Sequence, residues 1–189
     1  MNPLNIDRIQ NFNYQYTYNI RRRNISTFKM GIKINCPQQK LWDLLRTPEH
    51  LKLTHPYCKD HIAEKWGVVG AKDTLVFNNG NTVIREVIHM DDHFFILSLT
   101  QMEKKDNDIK VKFEAHQLIN DQSELYMTVS IDSYRKIPRP IWWLYAKFIV
   151  VPSYDLYIRA VIKGYKYYLE TGETVRKNQF GYHKGYSTP

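Results

Sequence analysis

Along most of the chain, apolar and polar residues alternate with a period of two, and only the last third changes to a helical period. Phe28, Met30, Ile32 and Ile34 alternate with Thr27, Lys29, Gly31 and Lys33, the pattern of a strand with one covered face. Ile109, Val111, Phe113 and Ala115 repeat it against Lys110, Lys112 and Glu114, and Leu125, Met127, Val129 and Ile131 repeat it again. Between these, strands are predicted over 59–66, 73–77, 82–90 and 94–100. The breaks are a turn from Gly67 to Gly70, the hairpin signal Asn78-Asn79-Gly80-Asn81 and a tight Asp91-Asp92 turn. Residues 103–108 are charged and read as a loop. Tyr14, Tyr16 and Tyr18 also alternate, inside a polar stretch of residues 1–24 that reads as an N-terminal arm and ends near Arg21-Arg22-Arg23.

Two helical regions complete the pattern. Pro37 suits a first helical position, and Leu41, Leu44 and Leu45 form a short inward face behind it. Thr47-Pro48-Glu49 predicts a restart into a second short helix. The long helical stretch runs from Pro138 to Gly172, with Pro152 dividing it and Ser153 placed to cap the new start. Beyond that point Ile158, Ile162, Tyr165 and Leu169 fall on one face, with Val161, Gly164 and Tyr168 beside them. Asp155, Arg159, Lys163, Lys166 and Glu170 fall on another. At 1.5 Å per residue, 154–171 would span about 27 Å, the width of a small domain. Gly172 is a natural stop.

The order strand, two short helices, about six more strands, long helix predicts an α+β fold. Its sheet is antiparallel and curved, of about seven strands, wrapped on the C-terminal helix. Residues 25–189 form one domain, with 173–189 as its tail. A cavity on the scale of about 300 Å³ is expected between the concave face and the helix.

The residues that carry this order resemble the SRPBCC or START-like superfamily, the helix-grip fold of the birch-pollen-allergen type. They are I-K-I-N-C-P-Q-Q-K-L-W-D-L-L at 32–45, T-P-E-H-L-K-L-T-H-P-Y at 47–57 and N-N-G-N-T-V-I-R-E-V at 78–87. The late helix fits as well, and the closing T-G-E-T-V-R-K-N-Q-F-G-Y-H-K-G-Y-S at 171–187 is similar to the tail of uncharacterised bacterial members. The resemblance covers 26–187 and implies a cavity protein. The superfamily holds lipid and steroid carriers, polyketide cyclases, hydrolase activators and ubiquinone-binding proteins, so fold alone does not carry a function across.

Composition narrows the setting. Cys36 and Cys58 have no CxxC partners and the first twenty residues have no apolar signal core, so a reducing cytoplasm is expected. The longest apolar run, Ile141 to Val151, is broken by Lys147 and is too short to span a bilayer. Charge is uneven. Residues 1–134 hold 17 Lys and Arg against 16 Asp and Glu, whereas residues 135–189 hold 10 against 3. That last third also holds 12 of the 26 aromatic residues. A basic aromatic surface suits an anionic membrane, and a solvated helix face with a basic tail is the plain alternative. Three arginines without an accompanying motif do not make a nucleic-acid site, so no nucleic-acid partner is expected.

The candidate chemistry sits on the predicted cavity wall. Over 82–90 one face carries Val83, Arg85, Val87 and His89, and the other Ile84, Glu86, Ile88 and Met90, so either choice brings an ionisable group inward unless the strand is an edge with its charge in water. The expected ligand-binding residues are Arg85, Leu97, Phe113, Met127, Val129 and Tyr165, holding a hydrophobic or amphipathic molecule by an apolar wall and a few polar anchors. An enzyme of cyclase or dehydratase type would draw on Arg85, Glu86, His89 and Tyr165, but no catalytic residue is assigned. A third reading is a membrane or protein docking module in which Trp142 and Trp143 act among Arg135, Lys136, Arg139 and Lys147; the favoured alternative packs this segment on the cavity mouth, as a lid or the first half of the gripping helix. His55, Cys58 and His61 have a metal-like look. Cys58 and His61, three apart on a strand, point to opposite faces, so neither a metal nor a cofactor is expected.

Overall fold

In a computed structural model, residues 9–11, 14–20, 26–92, 94–101, 104–131, 141 and 144–189 are described. Strands β1 (Ile9–Asn11), β2 (Tyr14–Ile20) and β3 (Ser26–Ile34) are followed by helices α1 (Gln38–Arg46) and α2 (Leu51–Thr54). Next come β4 (Cys58–Ile62), β5 (Lys72–Phe77), β6 (Thr82–Met90), β7 (Phe94–Gln101), β8 (Lys104–Gln117) and β9 (Ser123–Ile131). A π-helical turn (Ala146–Val150) then leads directly into α3 (Val151–Thr171).

The nine strands of the described residues join one sheet in the order β1-β2-β3-β9-β8-β7-β6-β5-β4, and every pairing between neighbours is antiparallel. Seven of them, β3 to β9, are the curved sheet of the α+β fold that the alternation predicts. The other two come from residues 9–20, where the tyrosine alternation does form a strand and pairs with β3. The period of two then decides what is inside. On β9, Ser123, Leu125, Met127, Val129 and Ile131 are all buried, while the residues between them are half-buried. Register lines these up across the sheet: Phe28 faces Val129, Val129 faces Val111, Val111 faces Leu97 and Leu97 faces Val87.

Three predicted details differ. Residues 104–108, expected in a loop, are strand, because a run of charged residues at the end of a long hairpin arm reads locally as a polar loop. The strand after Tyr57 ends at Ile62. The chain leaves the sheet there, and the indole of Trp66 donates to the carbonyl of Leu45 at 2.9 Å. Pro152 does not divide the long helix, and Ser153 does not cap a new one. Proline has no N–H for the carbonyl four residues back, and the widened π turn just before it lets the helix run on.

Helix α3 lies along β3 inside the curve of the sheet. Tyr154 stacks on Phe28 with centroids 4.9 Å apart, and at the far end Lys166 donates to the carbonyl of Lys33 at 2.8 Å. Ile158, Val161, Ile162, Tyr165 and Leu169 are its buried face. Gly164 makes the close approach to α2 possible, since a Cβ there would stand 1.9 Å from the carbonyl oxygen of Thr54. Gly172 closes the helix in the left-handed region at φ 75°, with its N–H on the carbonyl of Tyr168. The tail beyond it runs back over α2 and β4. Val175 N–H donates to the carbonyl of Leu53, and Asn178 N–H to that of Pro56. The hydroxyl of Tyr57 donates to the carbonyl of Gly181, and Tyr186 packs on Phe77 at 4.7 Å. One flank of the sheet–helix sandwich is therefore covered by the tail.

Candidate functional site

Antiparallel register creates the central feature. Asp73 on β5 stands directly opposite Arg85 on β6, and both point inward. Arg85 is 5% exposed and Asp73 3%, so a full ion pair lies inside the sheet's concave face. Arg85 Nε donates to Asp73 Oδ1 at 2.8 Å, and its Nη2 donates to Oδ2. Of the two faces that the sequence leaves open on β6, the inner one is that of Arg85 and Val87. The partner that a buried guanidinium requires is within the protein, a carboxylate twelve residues earlier. Burial opposes the charge on Asp73, but the His61 hydrogen bond and the Arg85 guanidinium outweigh it and hold the carboxyl below its ordinary range.

Histidines extend the pair. The N–H of Leu51 donates to His61 Nδ1 at 3.4 Å, which places the ring proton on Nε2, and that atom donates to Asp73 Oδ2 at 2.6 Å. Arg85 Nη2 also lies 3.1 Å from His61 Nε2, a contact of two donors held together by the carboxylate between them. His50 donates from Nδ1 to the carbonyl of Thr47 at 2.8 Å, so its Nε2 accepts from the hydroxyl of Tyr165 at 2.9 Å. Its imidazole is pushed down to about 3, first by burial and then by the positive charge of Arg85. His55 accepts at Nδ1 from the N–H of Tyr57 and donates from Nε2 to the hydroxyl of Tyr157 at 3.3 Å. Burial and Arg85 hold it near 3 as well. Burial raises the hydroxyls of Tyr157 and Tyr165, so both remain proton donors across the physiological range.

Four members of this cluster, His55, Arg85, Tyr157 and Tyr165, form one side of a cavity between the sheet and α3. The rest of its wall is apolar, from Leu51, Leu75, Leu97, Val111, Phe113, Met127 and Val161. Of the six predicted binding residues, Arg85, Leu97, Phe113, Met127 and Tyr165 line it. Val129 is buried on the same face but not on this wall, because its row of the sheet lies under Tyr154 where that ring stacks on Phe28. Among the described residues, the cavity at this site is smaller than expected. The cavity measures about 20 Å³, the room of roughly one water molecule. Tyr157, Tyr165, Phe113 and the Arg85 guanidinium occupy the space that alternation alone leaves empty.

The other candidates lie elsewhere. Glu86 faces outward and pairs with Lys72 at 3.3 Å, while His89 is exposed and stacks on Phe94 at 5.1 Å, so neither reaches the cavity. Among the described residues no group of three His, Cys, Asp or Glu side chains is arranged to hold a metal ion. His55 and His61 are committed to Tyr157 and Asp73, and burial pushes the Cys58 thiol up to about 12, which keeps it protonated rather than nucleophilic. Trp142 and Trp143 lie outside the described residues. His50, His61 and Asp73 carry no signal in the spacing, because strand register and a four-residue helix bring them together.

A long helix gripped by a curved antiparallel sheet, with two short helices after the first of its seven main strands, has matches among solved structures. The chain has the helix-grip fold. It superposes on a conserved protein of unknown function from Enterococcus faecalis with a TM-score of 0.57 at 14% identity, covering 85% of this chain and 80% of that one. Norcoclaurine synthase from Thalictrum flavum gives 0.56 at 9% identity, covering 77% and 94%. An aromatase/cyclase from a Streptomyces species gives 0.56 at 10%, covering 80% and 99%. No family model matches the chain, and no curated protein does. At these identities the likeness is one of fold.

Proposed function

We propose that this helix-grip protein binds a small hydrophobic or amphipathic molecule between the sheet and α3, with the polar end of the ligand at Arg85, Tyr157 and Tyr165. The observation that carries the reading is the buried Arg85 guanidinium, ion-paired to Asp73 and lining a mostly apolar cavity beside His55, Tyr157 and Tyr165. An ion pair in a core contributes little that well-packed aliphatic side chains would not, so its place beside a cavity supports a binding role. The fold supports it too, since the synthase of this fold is solved in complex with a transition-state analogue.

The same pair selects the ligand. Asp73 already neutralises Arg85, so a ligand carboxylate would bring an uncompensated negative charge into the site. A hydroxyl or carbonyl end is favoured instead: the Tyr157 hydroxyl, which accepts from His55, keeps its own proton to donate, while the Tyr165 proton is held by His50. His50 and His55 titrate far below neutrality and the two tyrosines far above it, which favours binding over proton transfer. A cavity of about 20 Å³ admits such a molecule only when its roof moves. The tail packs behind Tyr157 through Tyr186 and His183, and lifting it would free the edge of α3 that carries Tyr157.

Displacement of the neutral dye N-phenyl-1-naphthylamine by decanol and by decanoate tests this reading. Saturable displacement by decanol, with decanoate at least tenfold weaker, is expected. Preference for decanoate, or no saturable dye binding, would overturn it.

A further inference from the structure

Just ahead of α3, residue 141 and residues 144–150 present a second surface. Ile141, Leu144, Tyr145, Phe148 and Ile149 recur at helical spacing and are 60%, 51%, 39%, 67% and 54% exposed. Ala146 and Val150, on the opposite side, are 1% and 4% exposed and pack into the core. The helix is thus amphipathic in an inverted sense, with small residues inward and large apolar ones in water. Soluble proteins seldom expose so many large side chains on one face without a partner for it.

Charge decides which partner. Residues 135–154 contain Arg135, Lys136, Arg139 and Lys147 and no Asp or Glu, within a last third of the chain that holds 10 basic residues against 3 acidic. Lys147 lies on the exposed side, with its Nζ 5.9 Å from the centre of the Phe148 ring. Exposed aliphatic and aromatic side chains on a stretch of sequence whose only charged residues are basic match the boundary between the headgroups and acyl chains of an anionic bilayer. Among the described residues no helix is long and apolar enough to cross a membrane, so the segment would lie along the surface. We infer that the face formed by Ile141, Leu144, Tyr145, Phe148 and Ile149 docks this protein on anionic lipid. The same helix continues into Tyr157, Val161 and Tyr165, so a docked face would put the cavity roof a few turns from the membrane. The inference does not depend on what the cavity holds.

Co-sedimentation of the full chain with vesicles tests it, using phosphatidylcholine alone and an equal mixture of phosphatidylcholine and phosphatidylglycerol. Binding to the mixed vesicles at low salt is expected, with at least tenfold loss in molar salt and on neutral vesicles. The double variant F148E/I149E should lose binding by tenfold or more. Ile119→Ser, which alters an apolar side chain 83% exposed on the β8–β9 turn, should bind as wild type. Hydrogen exchange of the wild-type protein supplies a reading that needs no variant, and protection on adding mixed vesicles should centre on 141–150. Failure to bind mixed vesicles, binding that survives F148E/I149E, or protection elsewhere in the chain would overturn the proposal. So would a wild-type dimer that ignores vesicles and that F148E/I149E dissociates, which would assign the face to a second copy of the chain.

Discussion

Asp73 and Arg85 behave as one unit, and their worth is visible only when they are separated. Removing one partner leaves the other charged and buried, which costs about 3–5 kcal/mol, whereas replacing both with apolar groups of similar size is often close to neutral. Asp73→Ala should therefore lower the urea unfolding free energy by about 3–5 kcal/mol, and D73L/R85M should be more stable than either single change. Single variants that cost nothing would place the pair in water. Histidine protonation gives a second test at this scale. His50 and His55 sit near 3 in the folded chain against an ordinary value of about 6.5, so the unfolded chain binds protons first. Their contribution is present above about pH 6.5 and fades as pH falls, by about 1.4 kcal/mol per pH unit for each histidine. Stability should drop by about 4 kcal/mol between pH 7.5 and 5, where a carboxylate-only account predicts little change. His50→Asn should flatten the slope. Sequence indicates that Arg85, if inward, needs a partner. It does not indicate Asp73, because that pairing is a matter of register between two strands and not of spacing along the chain.

At the level of elements, the packing of α3 on α2 depends on one missing side chain. Gly164→Ala would push a methyl group to 1.9 Å from the Thr54 carbonyl oxygen, in backbone that cannot yield as a side chain can. A loss of about 1–3 kcal/mol is expected in thermal or urea unfolding, despite the gain in helix propensity. The tail can be tested by cutting. Without residues 173–189, Tyr57 and Tyr157 lose Tyr186 and His183, and the flank beside the cavity opens. The truncated chain should bind N-phenyl-1-naphthylamine faster than the full chain, as stopped-flow fluorescence would record, and equal rates would exclude the tail as a cover. The main strands are legible from alternation because one face of each is buried. The arm of β8 from Lys104 is not, since charged residues on a strand and in a loop look alike locally. The uninterrupted helix at Pro152 is missed because a π turn leaves no mark in composition.

Across the whole molecule, sequence is most informative about architecture. An alternating meander followed by one long amphipathic helix has few ways to bury both, and gripping the helix in the sheet is the one found here. Cavity size is a different matter. It depends on how rings such as Phe113, Tyr157 and Tyr165 turn within a volume that the backbone merely encloses, and the small space of about 20 Å³ follows from those rotamers. The central claim is that this space opens to take a neutral amphipathic molecule. Methyl-resolved NMR with decanol tests it most directly, through the methyl groups of Leu97, Val111, Met127 and Val161 on the cavity wall. The account predicts saturable shifts in these four, accompanied by changes in the tail around Tyr186. Shifts confined to exposed methyls such as those of Ile119 and Ile149, with the four wall residues unmoved at saturating decanol, would contradict it.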